Sequence, residues 1–348
     1  MADRDVEVTF ERFTWRFLSQ YVTAWELDRL RDEIQTWEQW FDAWERASRR
    51  HADIAEAASA AGNRQTAAFA HIRAALFLHW ATFLYGHDQR RFVDGMKAMN
   101  GHWERAASLL DPPMELFEVE FEGALLPGYL MRPPGARRPP IVLLVPGGDS
   151  TKEELFDFGL HIVERGMAVA AFDGPGQGLV STTLKMRPDF EVPIGAVIDV
   201  LSTRDDVDAD RLAVGGISYG GLFACRAAAY DRRVKAAVSV SSWYTPAGRY
   251  ATIDRVSQTA LRQYMGDDPA AMMDSITMEG AAERITVPLL QVYGGLDKAS
   301  PPEHAHRVAA EVRGPADTVV FDDGVHVCNN LHHIVRPMIG DWLAGHLL

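Results

Sequence analysis

Ser218, Asp297 and His326 are residue types that together do one kind of chemistry. A hydroxyl attacks, an imidazole that is neutral near pH 7 takes its proton, and a carboxylate orients the imidazole and stabilises its charged form. Ser218 stands in Gly216-Ile217-Ser218-Tyr219-Gly220, after the apolar run Leu212 to Val214 and before small and apolar residues from Leu222 to Ala229. A strand that enters Gly-x-Ser-x-Gly and leaves as a helix is a nucleophile elbow. Side chains at 216 and 220 would collide across so sharp a turn, and the positive end of the helix dipole lies behind the serine. Asp297 follows Gly294-Gly295-Leu296 at the end of the apolar run Val287 to Tyr293, and His326 follows Asp323-Gly324-Val325. An oxyanion hole needs two backbone donors: the N–H of Tyr219, and one from the glycines after Val145, for which Gly148 is favoured over Gly147.

Other residues compete for two of these roles. Asp322 and Asp323 sit too near the histidine in sequence to act as the orienting carboxylate. His304 and His306 read as solvated on a helix over Pro302 to Arg313, and His332 and His333 fall on the final helix. The histidine pairs lack a third ligand of fitting spacing, so no metal is expected.

Three such residues meet only if strands end on one side of a sheet. Ile141 to Val145 is a continuous apolar run, the mark of a parallel strand buried on both faces. Ala168 to Phe172, the strand into the elbow, Val234 to Ser241, Val287 to Tyr293 and Thr318 to Phe321 continue the pattern, with helices between them. Leu116 to Glu122 and Leu125 to Arg132 alternate apolar and polar residues around Gly123, the expected antiparallel start of a mixed sheet. Ser150 with Glu153, or Thr151 with Glu154, fits a capping box for the next helix. Residues 243 to 284 interrupt the rhythm with helical pattern and no strand. They carry Trp243, Tyr244, Tyr250 and Asp254 and belong over the strand ends as a lid.

The first third of the chain differs in kind. It holds Trp15, Trp25, Trp37, Trp40, Trp44, Trp80 and Trp103 and reads as helix throughout. Trp37, Trp40, Phe41 and Trp44 recur at helical spacing, as do Phe69, Ile72, Leu76, Phe77, Trp80, Phe83 and Leu84. Asp111-Pro112-Pro113 breaks the pattern, which divides the chain into a helical cap region, 1–112, and a core, 113–348, with its lid insertion at 243–284.

With 348 residues and 47% hydrophobic content the chain builds a large core, and its formal charge of −13 repels phosphate backbones and anionic lipid surfaces. Nucleic acid is therefore excluded as a partner, and a small-molecule substrate is expected. The two cysteines, Cys225 and Cys328, imply buried small hydrophobes and no disulfide framework. The start Met-Ala-Asp-Arg-Asp-Val-Glu has no apolar leader and runs such as Ala74 to Gly86 are too short to span a bilayer, so a cytoplasmic protein is expected. The aromatic helices leave a homodimer open. Asp173-Gly174-Pro175-Gly176-Gln177-Gly178 has the wrong glycine spacing for a dinucleotide site, and Gly147-Gly148-Asp149-Ser150-Thr151-Lys152 lacks the ending of a phosphate loop, so no cofactor is expected.

The order Ser, Asp, His is that of the α/β-hydrolases. Pro-Gly-Gly-Asp-Ser-Thr-Lys-Glu-Glu from Pro146, Phe-Asp-Gly-Pro-Gly-Gln-Gly from Phe172 and Gly-Ile-Ser-Tyr-Gly-Gly from Gly216, with the late Asp297 and His326, make the chain similar to a group within that superfamily. The group comprises the dihydroxypseudooxynicotine hydrolase-like bacterial enzymes, the fermentation-respiration switch proteins and fungal pigment-pathway hydrolases. The resemblance implies an α/β fold with a doubly wound, mostly parallel sheet, a helical amino-terminal region and a helical lid. It also implies serine-triad cleavage of a carbon–carbon bond beside a ketone in an aromatic or polyketide-like molecule. In that group a lid carboxylate assists, but Trp243 to Ile253 contains no Asp or Glu, so Asp254 is the first candidate, with Tyr244 and Tyr250 as alternatives. A carboxylic ester or lactone hydrolase with the same triad stays open, as does a non-catalytic partner-binding protein on the same scaffold.

Overall fold

Five helices come first in the computed structural model, which describes residues 2–348. They are α1 (Arg4–Leu18), α2 (Ala24–Glu33), α3 (Trp40–Ala60), α4 (Arg64–Thr82) and α5 (Gln89–Leu109). The chain then runs β1 (Glu115–Phe121), β2 (Ala124–Met131), β3 (Pro140–Val145), α6 (Phe156–Val163), β4 (Ala168–Phe172), α7 (Glu191–Ser202), β5 (Asp208–Ile217) and α8 (Tyr219–Tyr230). It closes with β6 (Val234–Val240), α9 (Arg255–Met265), α10 (Pro269–Ser275), β7 (Leu289–Gly294), α11 (Glu303–Glu311), β8 (Ala316–Phe321) and α12 (His332–Leu347).

The chain forms two compact units. The first is the amino-terminal stretch through Leu116 together with Ile253–Gln263, and the second is Phe117–Thr252 with Tyr264–Leu348. The segment 243–284 is therefore not one insertion of one unit: its middle, most of α9, belongs to the helical unit. Periodicity along 255–263 marks an apolar face, and what that face is buried against is a tertiary fact that periodicity does not carry.

Within the helical unit, α4 is buried on almost every side from Ala67 to Thr82, as an all-round apolar helix must be. The indole N–H of Trp40 donates to the Trp80 carbonyl at 2.8 Å, and the Phe17 ring lies 5.0 Å from Trp80 and 5.1 Å from Trp44. Two residues depart from the expected stripes. Trp37 lies in a 3-10 turn (Trp37–Gln39) before α3 and stacks on Trp40, and Phe69 is 39% exposed near the start of α4. At the start of α2, Thr23 and Glu26 form a reciprocal capping box.

The second unit is built on an eight-stranded sheet in the order β1-β2-β4-β3-β5-β6-β7-β8. β2 runs antiparallel to β4, whereas every pair from β4 through β8 is parallel. β3, β4 and β7 are buried along their whole length. The registers Val145↔Gly216, Ile217↔Val240, Val240↔Val292 and Gly294↔Phe321 bring the carboxyl ends of β3, β5, β6, β7 and β8 level. Loops leaving those ends are thus neighbours.

Candidate active site

Ser218 has φ 56° and ψ −123°, a left-handed conformation that costs a non-glycine residue energy and that the surrounding turn enforces. A Cβ on Gly216 would lie 2.2 Å from the Gly220 carbonyl oxygen, and one on Gly220 would lie 2.0 Å from that of Val145. Both obstacles are backbone, so only glycine closes the turn. The Ser218 N–H donates to the Val240 carbonyl at 2.8 Å, which ties the elbow to β6.

His326 Nε2 lies 3.1 Å from Ser218 Oγ, and Nδ1 lies 2.7 Å from Asp297 Oδ2. Asp297 is buried, and its other oxygen accepts the N–H groups of Ala299 at 2.8 Å and Ser300 at 2.9 Å. Burial works against its charge, yet the His326 charge and these hydrogen bonds win and hold the carboxyl below its usual range. An ionised Asp297 has no proton to give, so Nδ1 of His326 is the donor and Nε2 is free to accept from the serine hydroxyl. That is the tautomer a general base needs.

The His326 loop is held from two sides. Ser241 Oγ accepts the Val327 N–H at 2.9 Å, and the Asn330 side chain accepts the Val325 N–H at 2.9 Å. Val327 and Cys328 both adopt positive φ, which turns the chain sharply after the histidine. Ser300 bonds the Ser242 carbonyl, linking the Asp297 loop to the end of β6.

Gly147 and Gly148 lie beside the elbow. A Cβ on Gly147 would stand 3.4 Å from the Ser218 Cβ, and one on Gly148 would stand 2.8 Å from Tyr219 Cδ2. Gln177 fixes this loop from below: its amide donates to the Pro146 carbonyl at 2.7 Å and the Gly147 carbonyl at 3.2 Å, and accepts the Gly174 N–H at 2.8 Å. Asp173 accepts the Lys152 N–H at 2.7 Å and pairs with Lys152 Nζ at 2.9 Å, with all these groups buried. The glycine-rich run after β4 is thus a brace for the loop after β3. The expected capping box at Ser150 and Thr151 does not form, because Asp173 supplies the cap from another strand and Ser150 bonds Glu154 instead.

The remaining candidates divide. Trp243 lies 4.7 Å from the Tyr219 ring and 6.0 Å from the His326 ring, with its indole N–H donating to the Ala299 carbonyl at 2.9 Å. Tyr244 turns towards α11: its hydroxyl donates to Glu311 at 2.9 Å, its ring lies under Arg307, and its N–H donates to His304, which is half-buried rather than solvated. Tyr250 is half-buried in a short turn, Arg249–Thr252. Asp254 belongs to the helical unit, where it caps α9 by accepting the Ser257 N–H at 2.8 Å and pairs with Arg12. Burial opposes its charge, but Ser257 and Arg12 hold its carboxyl below the ordinary range. This corrects its expected role: a carboxylate so held is ionised at neutral pH and donates no proton. Asp322 and Asp323 are exposed, and the carboxylate bonded to His326 is that of Asp297. The residues that sequence patterns did not single out are Gln177, Ser241 and Ser300; only the Pro-Gly-Gln-Gly signature pointed near one of them.

Residues 155–337 match the model of the prolyl oligopeptidase family, and residues 34–245 match that of the FrsA-like esterases. The 2,6-dihydropseudooxynicotine hydrolase of Paenarthrobacter nicotinovorans is 30% identical over 322 residues, 87% of this chain and 83% of that protein. The crystal structure of 2,6-dihydroxy-pseudo-oxynicotine hydrolase superposes with a TM-score of 0.86 at 28% identity, covering 96% of this chain and 95% of the other. Alpha/beta hydrolase gkaG of Penicillium citrinum is 37% identical over 222 residues, 60% of this chain and 52% of the relative. The chain spans about half the length of such fungal relatives. Among the described residues no helix is long and apolar enough to cross a membrane.

Proposed function

We propose, for a chain that belongs to the α/β-hydrolase family as this one does, that it is a serine hydrolase cleaving a carbon–carbon bond next to a ketone in an aromatic or polyketide-like small molecule. The observation that carries the hydrolytic part is the Ser218–His326–Asp297 hydrogen-bonded series. In this reading Ser218 Oγ attacks the ketone carbon while His326 Nε2 takes its proton, and Asp297 stabilises the imidazolium. The Tyr219 and Gly148 N–H groups receive the oxyanion. The carbon–carbon part is supported by the relative named as a pseudooxynicotine hydrolase, which aligns across most of both chains.

A second reading, a carboxylic ester hydrolase with the same triad, is favoured by the FrsA-like esterase match over residues 34–245. One panel decides between them: turnover of an aryl β-diketone against p-nitrophenyl esters, with fluorophosphonate labelling of Ser218 as the check that the nucleophile is live. Diketone cleavage lost in Ser218→Ala supports the first reading. Ester turnover without diketone cleavage replaces it with the second, and no labelling or turnover at all leaves a binding protein. The setting we expect is cytoplasmic and without cofactor, and size-exclusion chromatography would tell the expected homodimer from a monomer.

A further inference from the structure

Directly after the nucleophile stands a group that the triad does not use. The Tyr219 hydroxyl is fully buried and has no hydrogen-bond partner among the described residues, which a finished protein tolerates only at a cost. Its ring packs on Trp243, and Trp243 packs on His326, so the ring belongs to the aromatic wall beside the triad. The guanidinium of Arg249 lies over Trp243, 5.7 Å from the ring centroid. Burial drives the Tyr219 phenol well up, and the charges that act on it are Arg249 and, in opposition, Asp149. Tyr219 therefore keeps its proton and is a donor at neutral pH, with a permanent cation close by.

We infer that Tyr219 Oη and Arg249 form a subsite for an enolate oxygen of the substrate, next to Ser218. A donor without a partner and a fixed cation on one apolar wall are complementary to an oxygen that gains negative charge during the reaction. The inference rests on the carbon–carbon reading. In that reaction the Ser218 Oγ–carbon bond forms as His326 takes the serine proton. When the tetrahedral oxyanion re-forms its carbonyl, the adjacent carbon–carbon bond breaks. Its electron pair moves into a new C=C bond, and the charge settles on the neighbouring ketone oxygen. Tyr219 and Arg249 hold that oxygen until His326 returns the proton to carbon, which releases a ketone and leaves an acyl-Ser218 for water to hydrolyse. An enolate so stabilised needs no acid in the lid, which suits an Asp254 that is ionised and bonded elsewhere. An ester expels an alkoxide that takes the His326 proton directly and puts no enolate oxygen in this subsite.

The test has two arms. In the first, Tyr219→Phe, which retains the backbone N–H, and Arg249→Gln each lower the ratio of diketone to p-nitrophenyl ester kcat/KM by about tenfold to a hundredfold, the scale of one hydrogen bond to charge. Arg249→Lys restores part of the loss. In the second, benzoylacetone is bound to Ser218→Ala protein and its enolate absorbance is followed against pH. The bound diketone ionises at lower pH than in water, against the opposing charge of Asp149 and beside the His326 imidazole, and the shift disappears in Ser218→Ala/Arg249→Gln. A wild type that hydrolyses only esters ends the carbon–carbon reading, and the ionisation arm still decides the subsite. An unchanged ionisation pH without Arg249, or an unchanged turnover ratio in both variants, overturns it.

Discussion

The Asp254 carboxylate and the Arg12 guanidinium are bonded directly, from the start of α9 to the middle of α1. The same carboxylate caps α9 through Ser257. Its removal is therefore expected to act on the helical unit rather than on the choice of substrate. Asp254→Ala should cost about 1 kcal/mol from the lost cap, whereas Asp254→Asn, which can still cap, should cost less. Thermal unfolding measures this, and diketone and ester turnover should move together. A selective loss of diketone cleavage in Asp254→Asn would return this residue to the chemistry.

Variants of the proposed triad are ranked by geometry. Ser218→Ala should lower kcat on the order of a millionfold with an unchanged unfolding midpoint. Asp297→Asn should lower it roughly ten-thousandfold, because the amide no longer selects the His326 tautomer. Asp323→Asn, exposed and not bonded to His326, should be close to wild type. The reverse ranking of the two aspartates would show that the hydrogen bond from His326 has been misread.

Gly148→Ala places a methyl group 2.8 Å from Tyr219 Cδ2, so the ring or the loop must shift. Both carry the donors proposed for the oxyanion, and loss of one such donor costs about a hundredfold to a thousandfold in kcat. The substitution should do so on esters with little change in KM, and at least as strongly on diketones, because a shifted Tyr219 ring also disturbs the proposed enolate subsite. A variant with full kcat would move the second donor to Gly147.

His71 in α4 and His102 in α5 face each other through their Nδ1 atoms at 3.0 Å. One ring accepts and the other donates, so the pair tolerates no proton beyond the neutral form of each. Burial, the partner ring and Arg105 push His102 down to about 4, and burial lowers His71 as well. In the unfolded chain both titrate near 6.5, so there the unfolded state binds more protons. The stability they contribute is complete above that pH and drains away as pH falls from about 6.5 towards 4. His102→Gln should flatten the dependence of the unfolding midpoint on pH in that window, and an undiminished slope would refute the assignment.

That Ser218, Asp297 and His326 would meet was legible because each follows the end of a strand, and the ends of parallel strands converge whatever the loops between them do. The brace at Gln177 was not, since a glycine-rich run advertises its turns and not the partner its one amide finds. Arg249 was hidden for a different reason. A single charge in a polar lid looks solvated until an aromatic wall is seen beneath it, and Trp243 reaches that position only through the turn after β6. The helical stripes told which faces of α3 and α4 are covered, but Trp37 and Phe69 show how a periodic match extends past the point where the helix starts or the core ends.

The chain passes between its two units three times, after Leu116, after Thr252 and after Gln263. During synthesis, α1 to α5 emerge first, yet their unit is incomplete until β5, α8 and β6 have been made and α9 has followed. The amino-terminal helices must therefore wait for partners such as Asp254, which bonds Arg12, before their unit is complete. A fragment ending at Leu116 would be frozen in that state.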